Sequence, residues 1–362
     1  MRDIVIHDVP PASGDEDGVA ARFIVYIVPG NPGLISFYAA FASTLARLLE
    51  DTATRHNVSV RICGKSLTGF ETESSRNAKR RGSPCVSDGP AGLVETVLAA
   101  EADAHDLARD LVGSSSTSAK APAKVILVGH SVGAYISMEL LRRHSVEEDD
   151  PADPADPATP LKRTAVAGSI LLFPVLTHIA RSRSGLLYAR FLTLKYLATV
   201  VALLVKMVLF CVPPSLLYLL VRLVTRFPPP AAATVTAFLE SKHGIKQALY
   251  LAGDEMRTIL EDRWSCDVWE GCPSGSRPVY MYFGRQDAWV PDDARADLIR
   301  THGSGPGPNG VAKKYAVIDR EDIPHAWCID HSDAVAKNIL PWINDIISES
   351  LSTDKDGEKE TG

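Results

Sequence analysis

The stretch of sequence that most restricts the fold is a short apolar run, Lys124–Val128, followed at once by Gly-His-Ser-Val-Gly at 129–133. Apolar residues at helical spacing come next, so the segment predicts a strand, a tight turn and a helix. Gly129 and Gly133 are required because side chains there would collide with neighbouring backbone. The turn holds the Ser131 hydroxyl in the open, at a helix N-terminus that favours developing negative charge. We therefore predict Ser131 to be a nucleophile.

Other short apolar runs rich in β-branched residues recur along the chain, and helix-like stretches separate most of them. This alternation predicts an α/β fold with a mostly parallel central sheet flanked by helices. The predicted strands are Phe23–Val28, Val58–Cys63, Lys124–Val128, Ser169–Phe173, Val279–Phe283 and Tyr315–Ile318.

A serine at its ordinary pKa is a poor nucleophile, so a carboxylate and then a histidine should follow it in the chain. Asp287 follows the predicted strand Val279–Phe283, and His325 follows the predicted strand Tyr315–Ile318. We predict that His325 takes the proton of Ser131 and that Asp287 orients the imidazole and stabilises its cation.

Other side chains compete for these two roles. His331 is an alternative to His325, although its position where the final helix is predicted to begin favours a structural role. Asp254 follows an apolar stretch and is an alternative to Asp287. Asp319 and Asp322 are too close in sequence to His325 to come from a separate strand end. The other histidines, His130 beside the serine among them, are predicted to be structural or solvated.

Acyl transfer also needs backbone N–H donors for an oxyanion, usually from the residue after the serine and from a loop after an early strand. The first predicted strand leads into Pro-Gly-Asn-Pro-Gly at 29–33. Pro32 has no N–H and Gly30 is a turn residue, so we predict Asn31 and Val132 as the two donors.

A block of basic and apolar residues follows the fourth predicted strand, Ser169–Phe173. Residues 181–226 contain seven basic and no acidic residues, so this block has a formal charge of +7. The whole chain has a formal charge of −6, so the remaining residues together carry −13. Gly185–Val212 would cross a bilayer only if its cations snorkelled, and Ser215–Phe227 is too short to cross. We predict two amphipathic or hairpin arms, hinged at Pro213–Pro214, that lie in a membrane or droplet surface. The alternative is a cap buried against the core.

The remaining composition excludes several classes. A net charge of −6 without a recognition motif argues against nucleic-acid binding. The acidic, proline-containing N-terminus is unlike a signal peptide. Six scattered cysteines predict reduced thiols, with pairing of Cys266 and Cys272 as an alternative under oxidation. No metal or organic cofactor is predicted.

We predict one domain over residues 1–351, with the cap inserted at 178–240 and a disordered, charged tail at 352–362. Polar or Pro/Gly-rich inserts are predicted to be loops or disordered tracts. They lie at Glu71–Gly92, Pro151–Pro160 and His302–Gly310.

Taken together, several segments resemble the lipid droplet-associated hydrolases, and the Pro-Gly-Asn-Pro-Gly-x-x-x-Phe-Tyr string is the most distinctive of them. The resemblance implies an α/β-hydrolase fold, location at lipid droplets and the cytosolic face of the endoplasmic reticulum, and esterase action on neutral lipids such as sterol esters or acylglycerols. By this likeness Ser131, Asp287 and His325 match the triad positions. The segments are Ile27–Phe41, Val128–Leu141, Ala248–Met256, Tyr282–Pro291 and Ile323–Ala336.

The predicted chemistry is acyl-ester hydrolysis through a covalent acyl-serine that water resolves. Two alternatives stay open at this point. The first is a droplet-binding structural or lipid-organising protein with little hydrolytic activity. The second is an acyltransferase, in which an alcohol replaces water as the acceptor of the acyl group.

Overall fold

The structure is a computed structural model that describes residues 4–11, 19–70, 90–113, 123–148, 165–270, 277–305 and 313–360. The predicted inserts within 71–89 and 149–164 lie outside these residues. In chain order the elements are β1 (Ile4–Val9), β2 (Ala21–Val28), α1 (Ala39–His56), β3 (Val58–Lys65), α2 (Leu93–Gly113), β4 (Ala123–His130), α3 (Val132–Glu148), β5 (Ala165–Leu172), α4 (Arg183–Leu192), α5 (Leu197–Leu209), α6 (Pro214–Thr225), α7 (Pro229–Glu240), α8 (Gly244–Thr258), α9 (Cys266–Glu270), β6 (Val279–Phe283), α10 (Asp292–His302), β7 (Ser304–Gly305), β8 (Lys313–Lys314), β9 (Ala316–Ile318) and α11 (Ser332–Glu360).

Seven strands form the central sheet in the order β1-β3-β2-β4-β5-β6-β9. Every neighbouring pair is parallel except β1 and β3, which run antiparallel. All residues of β2 and β4 are buried, as expected for strands covered by helices on both faces. The mostly parallel sheet flanked by helices that the sequence predicts is therefore confirmed.

Two short strand features were not predicted. β1 is an edge strand in which only Val5 and Val9 are buried, and Ile4 and Ile6 remain exposed. The pair β7–β8 lies partly in the segment that was predicted to be a loop from His302. Both give little signal in the sequence, because β1 is not a continuous apolar run and β7 and β8 have only two residues each.

Helices cover both faces of the sheet, and the sheet divides the hydrophobic core into two clusters. On one face, α1 and α11 pack Phe41, Leu45 and Ile343 against the sheet. On the other face, α2 and α3 contribute Val97 and Tyr135, and part of the inserted region joins them. Because the strands other than β1 run parallel, their carboxyl ends and the loops that follow them lie at one edge of the sheet.

The final helix is longer than the sequence suggested. Residues 352–362 were predicted to be a disordered tail, but α11 continues to Glu360. A helix already packed against the sheet extends at little cost, and the polar residues of its last turns include good helix formers such as Glu and Lys. This corrects the tail prediction for 352–360.

The cap is inserted between β5 and β6, where the sequence placed it, and its helices continue past the predicted end at 240 into α8 and α9. The predicted first arm, Gly185–Val212, is not one helix: α4 and α5 meet at 90°. At the end of α4, the Thr193 hydroxyl donates to the Ala189 carbonyl at 2.9 Å. The predicted hinge at Pro213–Pro214 is the start of α6, where Pro214 is the first helical residue.

Across the described residues, no single helix is both long and apolar enough to span a bilayer, although the bent pair α4–α5 passes that test together. Much of the cap instead exposes apolar side chains, and α5 has no buried residue. We call this surface the apolar cap face. It comprises Leu186, Leu187, Tyr188, Phe191, Leu194, Tyr196, Val200, Leu203, Leu204, Met207, Val208, Phe210, Leu216, Leu219, Leu220, Leu223 and Val224.

Candidate active site

Ser131 occupies the turn between β4 and α3, at the carboxyl edge of the sheet. Its φ of 56° lies in the left-handed region, which a non-glycine residue adopts only when the surroundings enforce it. Two backbone hydrogen bonds enforce it here, from Ser131 N to the Leu172 carbonyl at 3.0 Å and from Val175 N to the Ser131 carbonyl at 3.3 Å. The serine is thereby fixed at the tip of the strand.

The two glycines that flank the turn have no room for a side chain. A Cβ on Gly129 would lie 2.4 Å from the Gly133 carbonyl oxygen, and a Cβ on Gly133 would lie 2.2 Å from the Val28 carbonyl oxygen. Backbone atoms at such distances cannot rotate away. The first turn of α3 therefore approaches β4 closely because Gly129 has no side chain, and it approaches β2 closely because Gly133 has none.

Three of the predicted side chains form one hydrogen-bonded chain. His325 Nε2 lies 2.9 Å from Ser131 Oγ, and His325 Nδ1 lies 2.7 Å from Asp287 Oδ2. The second oxygen, Asp287 Oδ1, accepts the backbone N–H of Trp289 at 2.8 Å. The Asp287 side chain is 1% exposed and that of His325 is 16% exposed. With Nδ1–H donating to the carboxylate, Nε2 is the acceptor that faces the serine hydroxyl.

The topology explains this convergence. Asp287 lies in the loop after β6, and His325 lies in the loop after β9, the next strand of the sheet. Both loops leave the same edge as the turn that holds Ser131. Residues separated by 194 positions in sequence therefore meet within hydrogen-bond distance.

The competing side chains are engaged elsewhere. His331 precedes α11 and pairs with the adjacent Asp330 at 2.5 Å. Asp254 accepts the backbone N–H of Leu93 at 2.8 Å. Asp319 accepts the hydroxyl of Tyr282 at 2.7 Å. Asp322 pairs with Arg285 at 3.4 Å.

The loop at 29–33 lies against the serine. A Cβ on Gly30 would be 2.9 Å from the Ser131 Cβ. The Gly30 N–H is already used, since it donates to Tyr38 Oη at 2.9 Å. Val132 is the first residue of α3, where a backbone N–H has no acceptor one turn earlier. The 29–33 loop, which includes the predicted donor Asn31, thus lies close to the nucleophile, and the other predicted donor, Val132, follows it in the chain.

The side chain of Asn31 attaches this loop to the cap. Its Nδ2 donates to the Ala248 carbonyl and to Glu255 Oε1, each at 3.0 Å, and both acceptors belong to α8. Burial raises the pKa of Glu255 to about 8, although the hydrogen bond from Asn31 acts to lower it. Sequence reasoning missed Glu255, whose only signal is an acid one helical turn after the apolar Leu251 of α8.

The other end of the cap is attached to the loop that carries Asp287. Ser184 N donates to the Ala288 carbonyl at 2.8 Å, and Arg183 pairs with Asp292 at 3.7 Å. Tyr188 of α4 stacks on Trp289, with ring centroids 6.4 Å apart, and Trp289 is 6.5 Å from the ring of His325. The apolar cap face therefore begins beside the histidine.

Within the described residues no three His, Cys, Asp or Glu side chains cluster as metal ligands do. Cys63, Cys211, Cys266 and Cys328 are free thiols. Cys272 lies outside the described residues, so the alternative pairing with Cys266 stays a prediction.

A parallel sheet flanked by helices, with a serine on a strand-turn-helix and partners on later strand ends, defines an α/β hydrolase. The chain belongs to the lipid droplet-associated hydrolase family, whose family model, described as "Lipid-droplet associated hydrolase", matches residues 21–328. The family resemblance inferred from the sequence is thus confirmed.

Relatives named lipid droplet-associated hydrolase match nearly the whole chain. The protein from Gallus gallus is 25% identical over 344 residues, which cover 93% of this chain and 89% of that protein. The protein from Mus musculus is 25% identical over 339 residues, covering 91% and 87%. Among solved structures, the peroxisomal alpha-beta-hydrolase Lpx1 from Saccharomyces cerevisiae superposes with a TM-score of 0.51 at 14% identity, covering 91% of this chain and 78% of that one. This last likeness shows the fold.

Proposed function

We propose that this hydrolase is a serine esterase that cleaves neutral lipid esters, such as sterol esters or acylglycerols, at a lipid droplet or endoplasmic reticulum surface. The observation that carries the proposal is the unbroken chain of hydrogen bonds from Asp287 through His325 to Ser131, with distances of 2.7 and 2.9 Å. Such a chain gives a serine the base that it needs to become a nucleophile at neutral pH.

In the first half of the reaction, Ser131 Oγ attacks the ester carbonyl carbon while its proton passes to His325 Nε2. The carboxylate of Asp287 stabilises the resulting imidazolium. The tetrahedral intermediate then collapses: the bond to the leaving oxygen breaks, His325 returns the proton to that oxygen, and the alcohol departs. Ser131 is left as an acyl ester.

In the second half, His325 takes a proton from water, whose oxygen attacks the acyl-serine. Collapse of the second intermediate releases the carboxylic acid, and the proton on His325 returns to Ser131. The backbone N–H groups of Val132 and Asn31 are our proposed donors to the oxyanion in both halves. Their support is the position of the 29–33 loop against Ser131 and of Val132 at the start of α3.

The apolar cap face supports the lipid surface as the place of action. Leu203, Met207 and Phe210 of this face are 65%, 68% and 89% exposed. Isolated exposed apolar side chains are common, but a concentration of them on α4, α5, α6 and their connections supports an interaction site. The relatives named lipid droplet-associated hydrolase support a droplet as that site.

The manner of attachment follows from helix length and charge. The cap helices are short, and the cations on and between them, among them Arg190 and Lys195, are of the sign that anionic head groups attract, at about 1 kcal/mol each. Short apolar helices flanked by cations lie within an interface with their polar groups toward water. A droplet monolayer accepts such a cap from the cytosolic side without any aqueous compartment beyond it.

The test is labelling by a fluorophosphonate probe of the full-length protein in detergent or lipid vesicles. We expect wild type and Ser169→Ala, a control at a buried serine of β5, to be labelled, and Ser131→Ala to be unlabelled. Hydrolysis of a neutral lipid ester should follow the same pattern. A folded wild type that takes no label would contradict the proposal and favour a structural, lipid-organising role.

A further inference from the structure

A second hydrogen-bonded chain runs beside the first one. The Gly30 N–H donates to Tyr38 Oη at 2.9 Å, and Tyr38 Oη lies 2.6 Å from His130 Nδ1. His130 Nε2 lies 2.9 Å from the backbone oxygen of His325. The chain therefore joins the loop at 29–33 to the backbone of the residue that faces Ser131.

The direction of each hydrogen bond is determined by its ends. A backbone N–H can only donate and a backbone carbonyl can only accept. Tyr38 therefore accepts from Gly30 and donates its own hydrogen to His130 Nδ1, while His130 Nε2–H donates to His325. This requires one tautomer of a neutral His130 imidazole.

Burial maintains these protonation states. Tyr38 is 2% exposed and His130 is 5% exposed. Burial lowers the pKa of His130 well below its usual range, and the nearby His325 acts in the same direction. Burial raises the pKa of Tyr38 well above its usual range, as does the neighbouring Cys328 thiol. The phenol thus keeps its hydrogen and the imidazole stays uncharged around neutral pH.

Packing holds both rings where the hydrogen bonds need them. Trp327, two residues after His325 and fully buried, contacts the ring of Tyr38 at 5.7 Å and that of His130 at 5.3 Å, edge to face. Phe173 contacts His130 from the end of β5 at 6.3 Å. The chain is enclosed by aromatic groups, so water cannot replace a broken link without local rearrangement.

We propose that Tyr38 and His130 are positioning residues for ester hydrolysis: they hold the 29–33 loop and the backbone of His325 at a fixed separation around Ser131. The inference rests on the proposed function. It also assigns a role to the tyrosine of the Phe-Tyr pair at 37–38 and to the histidine before the serine, which the triad alone leaves without one.

Loss of either side chain should act on the rate of the chemical step. Tyr38→Phe leaves the Gly30 N–H and His130 Nδ1 without their partners, so the loop and the imidazole are free to shift. Displacements of about 1 Å near reacting atoms can cost on the order of a hundredfold in rate. Binding of the substrate's apolar parts does not depend on this chain, so KM should change little.

The experiment compares kcat and KM for a short soluble ester in wild type, Tyr38→Phe, His130→Leu and the double variant. We expect each single variant to lower kcat on the order of 10- to 100-fold, with KM within about twofold. The double variant should be no slower than the slower single one, because both changes break the same chain. Tyr280→Phe is the matched control, since its hydroxyl donates to Asp345 at 3.3 Å, in the same core but outside the Tyr38–His130 chain.

Unchanged kcat in folded Tyr38→Phe, or losses that multiply in the double variant, would overturn the positioning role. If wild type hydrolyses no ester and takes no fluorophosphonate label, the proposed function itself is wrong and this inference falls with it. A readout that needs no variant is nitrogen NMR of histidine-labelled wild type. A neutral Nε2–H tautomer at His130 is expected, and an Nδ1–H tautomer or a cation would overturn the chain.

Discussion

Asp287 and His325 are joined by one carboxylate oxygen only: Oδ2 lies 2.7 Å from His325 Nδ1, while Oδ1 accepts the backbone N–H of Trp289. The acid therefore has its own orientation set by the backbone, independently of the histidine. An amide in its place would keep the shape but present a donor to one of these two partners.

We expect Asp287→Asn to lower kcat on the order of 10³- to 10⁴-fold with little change in KM, because His325 would be held in the wrong tautomer. Asp254→Asn is the matched control, since that carboxylate bonds Leu93 N in a different part of the fold. Steady-state kinetics of the two folded variants decides between the acids. A larger loss of kcat in Asp254→Asn would transfer the role to that residue.

Glu255 should make stability fall as the pH rises. Burial raises its pKa to about 8, so the folded chain holds the proton more tightly than the unfolded chain. The associated stability is fully present below the unfolded pKa and is lost as the pH rises through about 8, at roughly 1.4 kcal/mol per pH unit at most.

Glu255→Gln keeps an oxygen to accept from Asn31 and removes the titration. The free energy of unfolding from urea titrations between about pH 5 and about pH 9 should therefore be flatter in the variant than in wild type. Equal pH dependence in the two proteins would show that Glu255 ionises as easily in the folded state as in the unfolded chain.

The apolar cap face should carry lipid binding. Leu203 and Met207 are one helical turn apart on α5 and exposed by 65% and 68%. Changing both to Glu should reduce flotation with phospholipid-coated neutral lipid droplets at least about tenfold, since each charge must enter an apolar layer.

The matched control is Val94→Glu with Leu98→Glu. This pair has the same spacing on α2 and is likewise exposed, but it lies outside the cap. Its flotation should equal that of wild type. Equal loss in both double variants would mean that added charge, rather than the cap, controls binding.

The close approach of α3 to β2 should make Gly133 sensitive to a single methyl group. Gly133→Ala should destabilise the fold by roughly 1–3 kcal/mol, because the new Cβ would meet the Val28 carbonyl. Gly92→Ala is a milder control, since its Cβ would meet only the carboxylate ends of Glu95 and Asp254, which can rotate. Urea midpoints compare the two, and equal losses would contradict the steric reason.

The sequence was most informative where local pattern and topology agree. Continuous apolar runs identify strands buried on both faces, and a strand-turn-helix with two glycines identifies the place of Ser131. Loops after later strands at the same edge then leave few positions for Asp287 and His325. This reasoning needs no knowledge of the cap.

The parts that sequence did not predict depend on contacts between distant segments. Tyr38 and His130 are 92 positions apart, and nothing local in either segment shows that they meet. The 90° bend between α4 and α5 has no local signal, because the residues between them include no proline or glycine. Glu255 is unusual only once its burial is known.

The cap is fastened at two places, and each lies next to a different part of the candidate site. Ser184 and Arg183 hold its beginning to the loop after β6, and α8 holds its end to Asn31. Because one inserted segment holds both loops, a change in the relative position of α4 and α8 would alter the spacing between the loop that carries Asn31 and the loop that carries Asp287.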